Sequence, residues 1–310
     1  MALIELSVGL ALCAAMLAGL QALTVEYGMS NGEFGNDRSP ALAATVISIV
    51  VSVAVFWSLL AVRGVSLGSF TLVQIAPFAV AGLGNPAAFR LLYFRSINRI
   101  GARVSAAIVC ANPALAAILA VPLFGESFTI VTALGLLCIV LGAVVLQIAR
   151  ADDDSPEDLL LEELSELHVT DLVAPLTAMV MLGFSFVLVK VGLNNLSNPL
   201  VGTAIGQTAA LVAFLGLFGG SGTMRRQVGI SDRIGLIAFT LAGVFVAGNW
   251  LAWFSALQIG TVVTVVPLAN TYPLFIVAFS YLTVRQVPKS PRVIGGIIAI
   301  VAGATLMQLA

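Results

Sequence analysis

Charge is what this sequence lacks. Only 9% of its 310 residues are Asp, Glu, Lys or Arg, against about 25% in soluble domains. With 60% apolar residues, the composition excludes a soluble globular protein and leaves no stretch for a soluble domain of useful size. Histidine is nearly absent too: the sole one is His168, and no Cys/His/acid cluster has metal-ligand spacing. Neither metal nor other cofactor is expected. The three cysteines, Cys13, Cys110 and Cys138, all lie inside apolar segments, which argues against a disulfide framework and reads as small core filling. No GxxxxGK loop is present; Gly219-Gly220-Ser221-Gly222 is loop glycine rather than a phosphate cradle. No acid lies in the middle of an apolar segment, since Glu5 and Glu26 bracket the first one. A proton-coupled mechanism built on a mid-helix glutamate therefore has no candidate. Glu5 also stands where a secretory signal would be basic, so the first apolar run reads as a membrane helix.

What the chain has instead is apolar length. Runs of about 20 residues cross the roughly 30 Å hydrocarbon core, and ten such segments are expected: 3–26, 40–62, 71–94, 103–123, 129–149, 171–192, 199–219, 234–254, 260–283 and 291–309. They fall into two sets of five in matching register. Gly19 and Gly28 precede Gly183 and Gly192 by 164 positions, as Gly84-Asn85 precedes Gly248-Asn249. Pro40 and Pro199 open the second and seventh segments. Pro113 and Glu126 precede Pro273 and Gln286 by 160, and the seven-residue spacing of Gly135 and Gly142 returns in Gly296 and Gly303. Five is odd, so a second copy enters the membrane upside down. The expected fold class is an all-α integral membrane protein of ten transmembrane helices in an inverted-topology 5+5 repeat. Its units are 1–149, an acidic linker over 150–170, and 171–310.

The charges test this. Arg38, Arg90, Arg95, Arg99 and Arg103 cluster around loops one and three, with Arg63 alone in loop two. In the second half Arg225, Arg226, Arg233, Arg285, Lys289 and Arg292 cluster around loops seven and nine, with Lys190 alone near loop six. The bias switches position within the repeat, which puts it on one membrane face, as inversion requires. By the positive-inside rule the odd loops are cytoplasmic and both termini external. The stretch "RADDDSPEDLLLEELSELHVTD", 150–171, holds nine of the fifteen acids and reads as a solvated tether, or as a short helix with Leu160, Leu161, Leu164 and Leu167 on one side.

Polar residues inside apolar segments are the candidate site, because an unpartnered polar group in hydrocarbon costs about 2–7 kcal/mol. Asn85, Asn112, Asn249 and Asn270 recur at symmetric depths, the last beside Tyr272, and inversion would gather them around the central axis. They read as cavity lining or as interhelical glue, worth about 0.6 kcal/mol. Tyr93, Tyr272, Trp250 and Trp253 read as an aromatic wall or an interfacial belt. Arg90 and Lys190 either snorkel to the headgroups or, for Arg90, anchor a carboxylate. Gln21 and Gln207 are lining or glue, with lining favoured for Gln21. Pro113 and Pro273 are expected to loosen their helices beside the cavity and free a carbonyl. Gly135, Gly142, Gly296 and Gly303 read as a close-packing face of scaffold helices, and Glu126 as a loop carboxylate at the start of the fifth helix.

The segment "YFRSINRIGARVSAAIVCANPALAAILAVPLFGESFTIVTALGLLCIVLGAVVLQ" and its echo "WFSALQIGTVVTVVPLANTYPLFIVAFSYLTVRQVPKSPRVIGGIIAIVAGATLMQ" resemble the drug/metabolite transporter superfamily, in its EamA-like branch. The echo departs at Arg285-Gln286, where the family pattern is Gly-Glu. The resemblance spans essentially the whole chain. It implies secondary transport of small metabolites, often amino acids and often outward, through a central cavity lined mainly by helices one, three, four, six, eight and nine. It also implies cytoplasmic termini, opposite to the charge count, so absolute orientation stays open. The expectation is therefore an alternating-access carrier of a small polar solute, not an enzyme. It would sit as a multi-pass protein in the inner or plasma membrane of a prokaryote, monomeric or a weak homodimer, with no nucleic-acid partner. A non-transporting membrane scaffold or sensor and an intramembrane lipid-modifying enzyme are the alternatives.

Overall fold

The computed structural model describes residues 2–35, 38–65, 70–151, 168–228, 232–284 and 290–309. Most of the acidic linker, Arg285, Gln286 and Lys289 lie outside them. The described residues form helices and connecting turns: α1 (Ala2–Asn31), α2 (Pro40–Val62), α3 (Leu72–Gly82), α4 (Phe89–Val109), α5 (Asn112–Phe124), α6 (Ile130–Ala151), α7 (Val173–Asn195), α8 (Pro199–Gly220), α9 (Gly222–Gln227), α10 (Arg233–Ile259), α11 (Val262–Ala269), α12 (Tyr272–Val284) and α13 (Pro291–Leu309). Proline and a cap start the same helix in both halves. Ser39 Oγ accepts from the Leu42 amide before Pro40, and Asn198 Oδ1 accepts from the Val201 amide before Pro199. Proline costs nothing at a helix start, because its missing N–H has no partner there anyway.

Among the described residues nine helical runs are long and apolar enough to cross a membrane, and Asn112–Phe124 is a shorter apolar helix. The difference from ten lies at Leu72–Val109, which is one continuous run of 38 residues. Gly101 interrupts it with φ 78° and ψ 164°, a region that only glycine adopts without strain. Ser96 and Ser105 hydroxyls lie 2.6 Å apart, whereas nine residues of straight helix would separate them by roughly 13 Å. The chain therefore turns back at Gly101. This corrects the expected end of the third segment at 94, and the arginines read as clustering around loop three, Arg90, Arg95, Arg99 and Arg103, all ride on α4.

Two close-packed helix pairs fix the frame. On α6 and α13 the expected glycine face is present. A Cβ on Gly142 would sit 2.7 Å from the Gly296 carbonyl, and one on Gly303 2.6 Å from the Gly135 carbonyl. Because Gly135 meets Gly303 while Gly142 meets Gly296, the two helices run antiparallel. Leu134, Leu137 and Leu141 on the opposite face of α6 are about half exposed, the surface expected against lipid tails. Likewise α1 runs antiparallel to α10, with Gly28 against Phe239, Leu17 against Gly248 and Ser7 against Gly260.

These contacts define two ends of the bundle. A base gathers Ser7, Glu126, Lys190, Gly260 and Val262. The other ends of the same helices form a mouth, where the Ser39 amide donates to the Gln227 carbonyl and Arg99 pairs with Asp171 at 3.3 Å.

Candidate functional site

Three helical runs break near the middle of the bundle, and the breaks surround one cavity. The first is a wider turn over Leu83–Ala88 between α3 and α4, with non-helical backbone at Asn85 and a cis peptide to Pro86. The second separates α4 from α5 at Cys110-Ala111, and the third separates α11 from α12 at Asn270-Thr271. Pro113 and Pro273 are buried in the first turn after their breaks, so they start a new helix rather than loosening the middle of one. Beside two of the breaks an asparagine side chain donates to a main-chain carbonyl of the preceding turn. Asn112 Nδ2 donates to the Val109 carbonyl at 2.8 Å, and Asn270 Nδ2 to the Val266 carbonyl at 2.8 Å. The two side chains also meet, Asn112 Nδ2 lying 3.4 Å from Asn270 Oδ1. Asn112 Oδ1 is buried without a hydrogen-bond partner.

The cavity measures about 380 Å³, within the usual small-molecule range of about 300–1,000 Å³. Asn85, Asn112, Asn249 and Asn270 all line it, as do Gln21, Arg90, Tyr93, Trp250, Trp253 and Tyr272. All ten residues singled out from sequence as solute-binding candidates thus come together. Arg90 does not snorkel: its guanidinium donates to Thr45 Oγ1 on α2 at 2.9 Å. The aromatic residues form walls rather than a belt. Phe89 stacks on Tyr93 with ring centres 5.6 Å apart, and Trp253 packs against Trp250 at 5.8 Å and Phe186 at 4.7 Å. Gln147 Nε2 donates to the Tyr272 hydroxyl at 2.7 Å.

Several sequence readings change. Of the two readings open for Gln207, glue is the one that fits: it is buried outside the cavity lining, and Ser52 Oγ lies 3.5 Å from its Oε1. Cys110 lines the cavity instead of filling the core. Glu126 does not serve the fifth helix; its two carboxylate oxygens accept from the Val262 and Val263 amides at 2.8 Å, capping α11 in the other half. Lys190 does not reach for headgroups either. Its ammonium donates to the Leu257 and Gly260 carbonyls, both at 2.7 Å.

Sequence reasoning missed Phe89, Cys110, Gln147, Leu182 and Phe186. The repeat offset applied to the sequence candidates finds two of the five, and applied to the cavity lining it relates two more. Subtracting 164 from Trp253 reaches Phe89, and subtracting 160 from Asn270 reaches Cys110. Adding 164 to Ala18 and Ala22, which also line the cavity, reaches Leu182 and Phe186. Gln147 sits near the end of an expected scaffold helix, and no signal pointed to it.

The cavity lies on the mouth side of the middle. Among the described residues its lining takes nothing from α1 before Ala18, α5 beyond Asn112, α7 beyond Phe186, α10 beyond Trp253 or α11 before Ala269. The base beneath is packed shut, with Phe78, Phe254, Leu257 and Val266 fully buried. Lys190 and Glu126 bridge α7 and α5 to the α10–α11 turn there. Among the described residues no group of three or more His, Cys, Asp or Glu comes together.

One solved crystal structure of a protein superposes on this chain with a TM-score of 0.74 at 17% identity, covering 98% of this chain and 97% of its own. At that identity the likeness concerns the fold alone. No curated protein matches the chain in sequence. The EamA-like transporter family matches residues 6–148 and again residues 170–308. The two matches together span nearly the whole chain, and this protein belongs to the EamA-like transporter family.

Proposed function

We propose that the chain is a secondary transporter that carries a small polar metabolite, such as an amino acid or related solute, by alternating access. Taking Gly101 as the turn between the third and fourth spans, ten spans form two inverted units of five, 1–149 and 171–310, joined by the linker. The antiparallel registers of α6 with α13 and of α1 with α10 support this reading. The carrier would reside in the cell membrane of a prokaryote, as a monomer or weak homodimer, with export as the direction that the resemblance implies.

One observation carries the proposal: twofold-equivalent positions are open at one end and shut at the other. Arg90, Tyr93 and Ala106 line the mouth-side cavity. Their equivalents in the second half, Phe254, Leu257 and Val266, are fully buried at the base. A scaffold of two like halves has a mirror arrangement in which the base opens and the mouth closes. Exchange between the two passes a solute held at the Asn112–Asn270 level from one face to the other. To open the base, the Lys190 and Glu126 bonds to the α10–α11 turn must break.

Counterflow of labelled solutes in proteoliposomes tests transport directly, and a thermal-shift screen over amino acids, sugars and nucleosides selects the solute. Asn249→Ala should reduce counterflow at least ~10-fold, the cost of one or two hydrogen bonds to solute, while the protein still elutes as a folded species. Unchanged uptake would remove Asn249 from the site. No counterflow with any solute would leave the scaffold or sensor reading in its place.

A further inference from the structure

Among the described residues that line the cavity, Arg90 is the one charged residue, and there is no aspartate or glutamate. The hydrogen bond that positions its guanidinium is to a neutral hydroxyl, Thr45 Oγ1, and Thr45 itself is buried. Every other polar lining group is neutral: amides of Asn and Gln, two phenols, two indoles and a thiol. A half-buried charge facing a cavity is open to a counter-ion, and a guanidinium has five N–H donors in a planar fork suited to a carboxylate. Thr45 engages one edge of that fork. The cavity is otherwise built for an apolar body, with Phe89 and Tyr93 stacked within one turn of Arg90 and with Trp250 and Trp253 packed edge to face in the lining. At its floor the buried Asn112 Oδ1 has no donor.

Resting on the transporter reading and narrowing its solute away from zwitterionic amino acids, we propose that the solute is an organic monoanion: a carboxylate on an aryl or alkyl body, with a neutral hydrogen-bond donor such as a hydroxyl. The carboxylate takes the place of the missing acid beside Arg90, the body fills the space between the aromatic walls, and the donor meets Asn112 Oδ1. A zwitterion leaves the site with Arg90's charge uncompensated, because its ammonium cancels the carboxylate and finds no acid of its own. A dianionic phosphate asks for more positive charge than one arginine supplies. The chemistry selects on net charge, and a cavity of about 380 Å³ accommodates a body of at least one ring.

Four probes of nearly one shape separate these cases: phenyllactate (anion), phenyllactamide (neutral), phenylalanine (zwitterion) and phenylalaninamide (cation). Each is titrated into the full-length protein in lipid nanodiscs, read by the emission of Trp250 and Trp253 and by thermal shift. Phenyllactate should bind at least ~10-fold more tightly than the other three, the effect of one charge-assisted contact. Arg90→Gln should bring phenyllactate to within about threefold of phenyllactamide, and Arg90→Lys should keep part of the preference. Phenylalanine binding as tightly as phenyllactate, an Arg90→Gln protein with the original ranking, or no response to any probe would each overturn the inference. Counterflow of some other solute in the same preparation would leave the transporter reading standing while this one falls.

Discussion

At position 90 the first half carries an arginine that lines the cavity. At the equivalent position, 164 residues later, Phe254 lies within 5.2 to 6.0 Å of the rings of Trp253, Trp250 and Phe78, ring centre to ring centre, and is fully buried. Tyr93 against Leu257 repeats the contrast, and so does the break at Asn85 against the unbroken helix through Asn249. Both halves keep the same scaffold: cap-proline helix starts, facing glycines, and asparagines that donate to a carbonyl beside a helix break. They differ in what is placed where the cavity must open or close. The mouth-side positions of the first half are polar or wettable, and their partners at the base are apolar and packed. Side chains at equivalent positions, together with the one helix break at Asn85, thus distinguish the open end from the shut one in the arrangement described.

The strongest way to break this contrast is to give the second half the first half's charge. Phe254→Arg would bury a cation among Phe78, Trp250 and Trp253, and should destabilise the closed base by more than about 3 kcal/mol. Little folded protein, or protein whose base reacts with polar thiol reagents at an introduced Leu257→Cys, is the expected result. A normally stable, unreactive protein would mean that position 254 is not a packed one. Next in size is the bridge across the base. Lys190→Met and Glu126→Ala each remove two charge-assisted bonds, of about 1.5–3 kcal/mol apiece at most. Thiol labelling at position 257 should then rise roughly 10-fold or more as the population shifts, with counterflow falling in parallel. Labelling at the parent rate would show that apolar packing alone holds the base. The smallest effects should fall where the halves agree. Ser39→Ala and Asn198→Ala each remove an equivalent helix cap and should cost about 1 kcal/mol. Similar shifts in melting temperature are expected, and a large inequality would show that the two scaffold halves are not energetically alike.

Much of this was legible in the residues. The polar positions Asn85, Asn112, Asn249 and Asn270 were readable because hydrocarbon makes any buried amide conspicuous. Gly135, Gly142, Gly296 and Gly303 were readable because a seven-residue spacing keeps one helix face. Three kinds of feature were not. The turn at Gly101 has no polar loop to announce it, only a glycine between two arginine-bearing helical turns. Glu126 acts on α11, 136 positions away in the chain, and no local pattern encodes a cap supplied by the other half. Gln147 joins the cavity because α6 leans its last turns over Tyr272, which depends on helix placement.

Composition, apolar length and the offset of about 160 residues determine by themselves that the chain lives in lipid, that its plan is used twice, and which polar residues cluster. Those are properties of single segments and of their spacing, and they survive any rearrangement of the helices. Tertiary structure alone decided which end of the cavity is shut. In two like halves every contact has a counterpart, so the choice rests on differences between equivalent packings. Here Phe254, Leu257 and Val266 packed beneath the cavity, with Lys190 and Glu126 bound to the α10–α11 turn, outweigh Arg90 and Tyr93 left facing open space at the mouth.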